Sequence, residues 1–211
     1  MKKIISILLL ICTMTLCLAS CGDNNNNDDN LDVIPEKNAA EKVEDLIASI
    51  SDAASCYNAA KAYNELTFEE KKNVSNSDAL KNSMITYVND KRIEEYLMEY
   101  QAQKASDECH NFYRDALLNV SSYTVNAQTT TVFYDNKTDT YFLFIVIDYS
   151  AQNKMGGYNR SETQDTFVWT NNDWKDTYYV YDTDTELDVI WAMKNREYSV
   201  YRNYTFAFSP D

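Results

Sequence analysis

Residues 140–150 read TYFLFIVIDYS, Thr140 to Ser150, and are apolar at nearly every position from Tyr141 to Ile147. A run this short, bounded by turn residues and rich in aromatic and β-branched side chains, is a strand rather than a buried helix. It does not alternate, so it must lie centrally in a sheet and be covered on at least one face. The flanking sequence supplies its neighbours. Thr129–Asp135 (TTTVFYD) reads as a strand, and Asp135–Asp139 (DNKTD) as the turn that joins the two. Asn153–Asn159 turns through Gly156-Gly157, read as the positive-φ residues of a hairpin loop. Glu162–Thr170 returns, Asn171-Asn172-Asp173 makes another hairpin, and Trp174–Tyr181 is expected to be the next strand. Thr183 with Glu186 caps a short helix bearing Leu187, Ile190, Trp191 and Lys194, and Tyr198–Phe208 reads as a last strand.

Upstream the apolar period changes from two to 3.6. Pro35 suits a helix start, and Val43, Leu46, Ile47 and Ile50 fall on one helical stripe. A second helix carries Ala59, Ala60, Tyr63 and Leu66. Thr67-Phe68-Glu69-Glu70 is a capping box, and Ser77 is expected to cap a segment repeating Leu80, Met84, Tyr87 and Val88. Each stripe is too narrow to stand alone, which predicts a small bundle. A longer helix follows over about 91–118. Ile93, Tyr96, Leu97 and Tyr100 form its first stripe, and Cys109, Phe112, Tyr113, Ala116 and Leu117 its second. The predicted class is α+β: an N-terminal small helical bundle followed by an antiparallel sheet with a helix packed across one face. The expected organisation is a helical module at 35–90 and an α+β domain at 91–211, with its sheet over about 122–208.

The chain carries a formal charge of −14, from 19 basic and 33 acidic residues. Such a surface is repelled by phosphate, which argues against nucleic acid as a partner. Gly and Pro number only three and two, so Asn, Asp and Ser must make the turns. Asn-Asp clusters are accordingly read as turns before they are read as metal sites.

At the N-terminus, Lys2 and Lys3 precede an apolar run from Ile4 to Leu18, shorter than the ~20 residues a spanning helix needs. It ends in Leu18-Ala19-Ser20-Cys21. This resembles the lipobox of bacterial lipoproteins, and the resemblance implies that residues 1–20 are a signal peptide removed on export. It implies further that Cys21 carries the lipid and holds the chain to the outer face of the cell membrane. Loss of Lys2 and Lys3 would take the charge to about −16. Residues 21–34, mostly Asn and Asp, read as a disordered tether, long enough to span roughly 20 Å. Cys12 and Cys17 leave with the leader, so Cys56 and Cys109 remain, to pair or to stay as buried thiols.

Residues 41–88 resemble a helical module repeated in Gram-positive surface proteins, through Ala59, Ala62-Tyr63, Leu66-Thr67, Glu69-Glu70-Lys71, Val74, Asn76 and Leu80. In that family the module is a spacer or appended unit, so the resemblance implies architecture and environment rather than an activity. Residues 105–170 resemble uncharacterised Gram-positive secreted proteins, through Ser121-Ser122-Tyr123 and the hairpin from Ser150-Ala151 through Asn153 and Gly156-Gly157 to Arg160.

Catalytic signals are sparse. His110 is the single histidine, and it diverges by about 100° from its neighbour Cys109 on one helix, which rules out that pair as a dyad. It is expected on the surface or partly packed. No Gly-x-Ser-x-Gly elbow supports a serine nucleophile. Asp182–Asp188 has acids at calcium-loop spacing but Leu187 at the sixth position, where that loop needs Gly; capping explains it. No cofactor or metal is expected. Aromatic density in the sheet half carries the remaining functional hint. Tyr141, Tyr149, Tyr158, Trp169, Trp174 and Tyr179 either pack across strands or form an exposed row that stacks on sugar rings or binds protein. Three functions stay open: a non-catalytic module binding a protein or cell-wall glycan, a hydrolase of wall or extracellular polymer using paired carboxylates, and a plain spacer.

Overall fold

Short helices build the first part of the structure, and three of them start with the same device. The computed structural model describes residues 37–208 apart from Asp182 and Arg196, with the backbone alone for Thr183–Thr185; the leader, Cys21, the tether and Pro35 lie outside the described residues. Helix α1 (Ala39–Ala48) is capped by Asn38 and Glu41, α2 (Ala53–Glu65) by Asp52 and Ser55, and α3 (Phe68–Lys72) by Thr67 and Glu70. In each, the cap side chain accepts from the third amide while the third side chain reaches back to the cap amide, which satisfies two orphan donors at once. Helix α4 (Ser77–Thr86) differs from expectation. Its N-cap is Asn76, one residue earlier than Ser77, and the Asn76 amide donates to the Glu44 carbonyl at 3.1 Å instead of capping. That bond fixes α4 to α1.

Helix α5 (Lys91–Asp115) ends three residues short of the expected 118 and belongs to two cores. Its first turns give Ile93 and Leu97 to a cluster with Val43, Ile47, Cys56, Ala59, Leu80 and Met84. Its later turns give Met98, Ala102, Ala105 and Cys109 to a cluster on the sheet. Cys56 and Cys109 are therefore in different cores, and both are free thiols.

Five antiparallel strands follow: β1 (Thr124–Asp135), β2 (Thr140–Gln152), β3 (Tyr158–Thr170), β4 (Asp173–Asp176) and β5 (Ser199–Tyr204), ordered β4-β3-β2-β1-β5. The run at 140–150 is the central strand, as its composition requires. Leu143, Ile145 and Ile147 face α5, while Phe142 and Phe144 point to the other side. There, helix α7 (Thr183–Lys194) lays Val189 and Met193 against Phe142 and Val168, leaving Leu187 and Trp191 exposed. Helices thus cover both faces in part, and the chain has an α+β fold.

Four local expectations need correction. The last strand ends at Tyr204, four residues short of the expected Phe208. The expected strand Trp174–Tyr181 stops at Asp176, whose carboxylate accepts from the Tyr178 amide and starts the one-turn helix α6 (Thr177–Val180). A cap at the right residue overrides the strand preference of Thr-Tyr-Tyr-Val. At the β2–β3 turn only Gly156 has positive φ (82°), because Asn153 Oδ1 accepts from the amides of both Met155 and Gly157 and orders the loop itself. Finally, His110 is fully buried rather than at the surface.

Candidate functional site

The aromatic residues singled out in the sheet half do not form one surface. Trp174 is a core residue, 6 % exposed, and its indole N–H donates to the Met98 carbonyl at 2.9 Å. Trp169 lies 5.0 Å from it, ring to ring, and touches both cores. Tyr141 and Tyr149 are half-buried against the sheet core, and Tyr149 packs with Tyr113 and Tyr123. Tyr158 and Tyr179 are exposed, at 66 % and 83 %, on the β2–β3 end and on α6 respectively. Beyond α7, the outer sheet face carries Asn126, Asp148, Ser150, Arg160 and Glu162. Arg160 grips Asp148 through Nε at 2.8 and 2.9 Å and through Nη2, and Asn126 donates to Asp148 and Ser150. Asn126 can reach both because it is the extra residue of a bulge in β1.

Aromatic side chains instead surround a cleft on the helical side. Tyr63 and Asn64 come from α2, Lys71 from α3, Leu80 and Met84 from α4, and Phe206 from the segment after β5. Helix α5 supplies Tyr96, Glu99, Tyr100, Gln103 and Asp107, spaced at i, i+3, i+4, i+7 and i+11 along one stripe. The cavity is about 220 Å³, smaller than the ~300–1,000 Å³ typical of drug-sized sites. It suits one ring-sized group. Apolar Leu80 and Met84 make its floor, the Tyr63 and Tyr100 rings (5.7 Å between centroids) a wall, and amides and charges its rim.

Burial shapes the electrostatics of this cleft. The Tyr63 phenol is pushed up to about 12, mainly by desolvation, with Tyr100 and Asp107 adding to it. Desolvation lowers the Lys71 ammonium, opposed by Glu99; Lys71 Nζ sits 5.5 Å from the Tyr63 ring centroid and makes no ion pair among the described residues. Asp107 is pushed up to about 6 by desolvation, against the Gln103 amide that donates to it at 2.9 Å and the charge of Lys72. The lining balances Lys71 and Lys104 against Glu99 and Asp107, so it selects for neither a strong anion nor a strong cation. Glu99 and Asp107 are eight residues apart on α5, about 12 Å between their backbone positions along the axis, so the ~5–9.5 Å carboxyl separation of glycosidases would require both side chains to lean together.

A second polar cluster is internal. His110 Nε2 is 2.7 Å from Gln128 Oε1, and Gln128 Nε2 donates to Ser106 and Thr130. With the amide nitrogen so engaged, its oxygen faces the ring, so Nε2 carries the proton and Nδ1 accepts from the Tyr123 hydroxyl at 2.8 Å. Phe208 stacks on the ring at 4.0 Å. Desolvation lowers the His110 pKa, which keeps it neutral. It is a structural histidine. On the same side of the sheet, the Tyr113 hydroxyl donates to Asp165 Oδ1 at 2.7 Å, and burial raises the Asp165 carboxyl. Asp135 accepts from the Lys137 amide and the Thr138 hydroxyl, which makes Asp135–Asp139 a tight turn. Among the described residues no three His, Cys, Asp or Glu side chains converge as metal ligands would.

The Asn38 and Asp52 capping boxes carried a local signal, Asn-x-x-Glu and Asp-x-x-Ser, that the sequence reading passed over. The cleft carried none, since its residues come from five segments and their signal is tertiary. No protein-family model, characterised protein or solved structure matches the chain.

Proposed function

We propose that the chain is an extracytoplasmic lipoprotein, anchored through Cys21, whose folded body binds a glycan unit without transforming it. The carrying observation is the cleft of Tyr63, Tyr96 and Tyr100. Aromatic walls stack on the apolar faces of a sugar ring, while the planar side chains of Asn64, Gln103, Glu99 and Asp107 exchange hydrogen bonds with its hydroxyls. The balanced lining charge favours a neutral ligand, and the wide backbone spacing of Glu99 and Asp107 supports binding over hydrolysis. The glycan thus sits on the helices, where the rings border a cleft, and not on the sheet, where most of the aromatic groups are covered by α5.

Anchoring and binding are tested separately. Labelled palmitate should enter the protein and Cys21→Ser should release it from membranes; an unlabelled protein that stays on the membrane after that change refutes the anchor. Calorimetric titration with chitotriose and with soluble peptidoglycan glycan strands should give saturable binding. Tyr100→Ala should weaken it at least tenfold, about 1.4 kcal/mol. Equal affinity in the variant refutes the site.

A further inference from the structure

Two turns fix which main-chain groups of β3 face outward. Asn171 and Asn172 both have positive φ (54° and 61°), the two-residue turn that closes on a hydrogen-bonded Thr170–Asp173 pair. At the opposite end the Asn153 amide donates to the Gly157 carbonyl at 2.7 Å, just beyond the Gln152–Tyr158 pair. Bonded and non-bonded pairs alternate along an antiparallel ladder. Both ends therefore give one answer: Asn159, Ser161 and Thr163 bond to β2, while Tyr158, Arg160 and Glu162 turn N–H and C=O away from it. Strand β4 pairs only with Phe167–Thr170, and α6 lies against β3 beyond β4. Residues Tyr158–Glu162 are exposed throughout, an open edge with its donors and acceptors at every second residue.

A cavity lies beside that edge. Of about 300 Å³, it is bounded by Leu117 and Leu118, by Tyr149 and Ala151 of β2, and by Asn159 and Ser161 of β3. These β2 and β3 residues are odd-numbered, so their side chains share the face that α5 covers further along. A strand added beside β3 would point the side chains opposite Asn159 and Ser161 onto this same face, into the cavity. Main-chain bonds would supply affinity and the cavity would select the side chain.

We propose that the Tyr158–Glu162 edge docks an extended polypeptide strand of a different protein, which seats an apolar side chain in the cavity under Leu117 and Leu118. A second copy of this chain fits poorly: edge-to-edge pairing would offer the cavity only Asn159 and Ser161, and two bodies of charge −14 repel each other. At the edge itself Lys154 and Arg160, the latter held by Asp148, accompany Glu162, so it is the acidity of the chain as a whole that favours basic residues flanking the apolar one. This site is independent of the tyrosine cleft.

The probe is the blocked heptapeptide Lys-Val-Lys-Leu-Lys-Val-Lys, titrated into the ¹⁵N-labelled full chain. Saturable binding is expected, with amide exchange slowed more than tenfold at Arg160 and Glu162 and unchanged at Asn159 and Ser161. The matched peptide with Ser at each apolar position should bind at least tenfold more weakly. Glu162→Pro removes one outward donor at an edge position where Pro is tolerated; it should abolish binding with the fold intact by circular dichroism. Leu118→Asp, at a residue 74 % exposed, should lower affinity tenfold and serves if the Pro variant does not fold. Absence of binding, equal affinity for the two peptides, unchanged exchange at Arg160 and Glu162, or full affinity in the soluble variants would each overturn the proposal.

Discussion

Tyrosines and tryptophans are abundant in both parts of this molecule and pack against a core in each, but only on the helical side do they also border a cleft. On the sheet, Tyr141, Tyr149, Trp169 and Trp174 sit on a regular pleated surface that α5 covers, and they fill the space between the layers. On the helical side, α2, α3, α4 and α5 meet along narrow stripes, and Tyr63, Tyr96 and Tyr100 line the gap those stripes leave. A pleated face presents side chains at even spacing and closes easily under a helix. Short crossing helices do not, and the residual space is a cleft. Aromatic density alone therefore marks no binding face; backbone geometry decides whether packed rings also border open space.

The contrast breaks first at the core. Trp174→Ala should cost about 3–5 kcal/mol in denaturant unfolding, since it opens a cavity and removes the indole hydrogen bond to the Met98 carbonyl. Tyr96→Ala, in the cleft, should cost less than half as much. Comparable costs would mean that the cleft residues are core as well. Next in size is His110→Ala, expected to lose about 2–4 kcal/mol by leaving the Tyr123 and Gln128 groups unpaired in the interior. His110 has its folded pKa lowered below its ordinary value of about 6.5. Its contribution is thus present above that pH and lost as pH falls through the folded pKa. Urea midpoints measured between pH 5 and 8 should fall at the acid end in wild type, and less steeply in the variant.

Smallest is an effect of opposite sign in the cleft. Asp107, at about 6 when folded, lies above its unfolded value of about 3.9. Folding favours its protonated form, with stability present below pH ~4 and lost as pH rises through 6. Asp107→Asn should accordingly stabilise by about 1–2 kcal/mol at pH 7.5 and negligibly at pH 4, read from thermal midpoints. A destabilised variant at pH 7.5 would show the carboxylate to be held by partners rather than strained by burial.

What the sequence made legible follows the range of each interaction. The central strand at 140–150, the Thr67–Glu70 box and the turn at Asp135–Asp139 rest on residues a few positions apart, and each has its expected place. The end of β4 at Asp176 was readable in principle, because an Asp before Thr-Tyr-Tyr is a cap, but strand propensity masked it. His110 carried no local mark of burial: its partners Tyr123, Gln128 and Phe208 lie 13, 18 and 98 positions away. The cleft joins Tyr63 to Tyr100 and Phe206 across the chain, so only the folded arrangement could show it.

The comparison is decided by which rings a ligand touches. In aromatic ¹H–¹³C NMR of the tyrosine-labelled protein titrated with chitotriose, shifts are expected at Tyr63, Tyr96 and Tyr100, with Tyr141 and Tyr149 unmoved. Shifts confined to the sheet tyrosines, or none at saturating glycan, would contradict binding in the cleft.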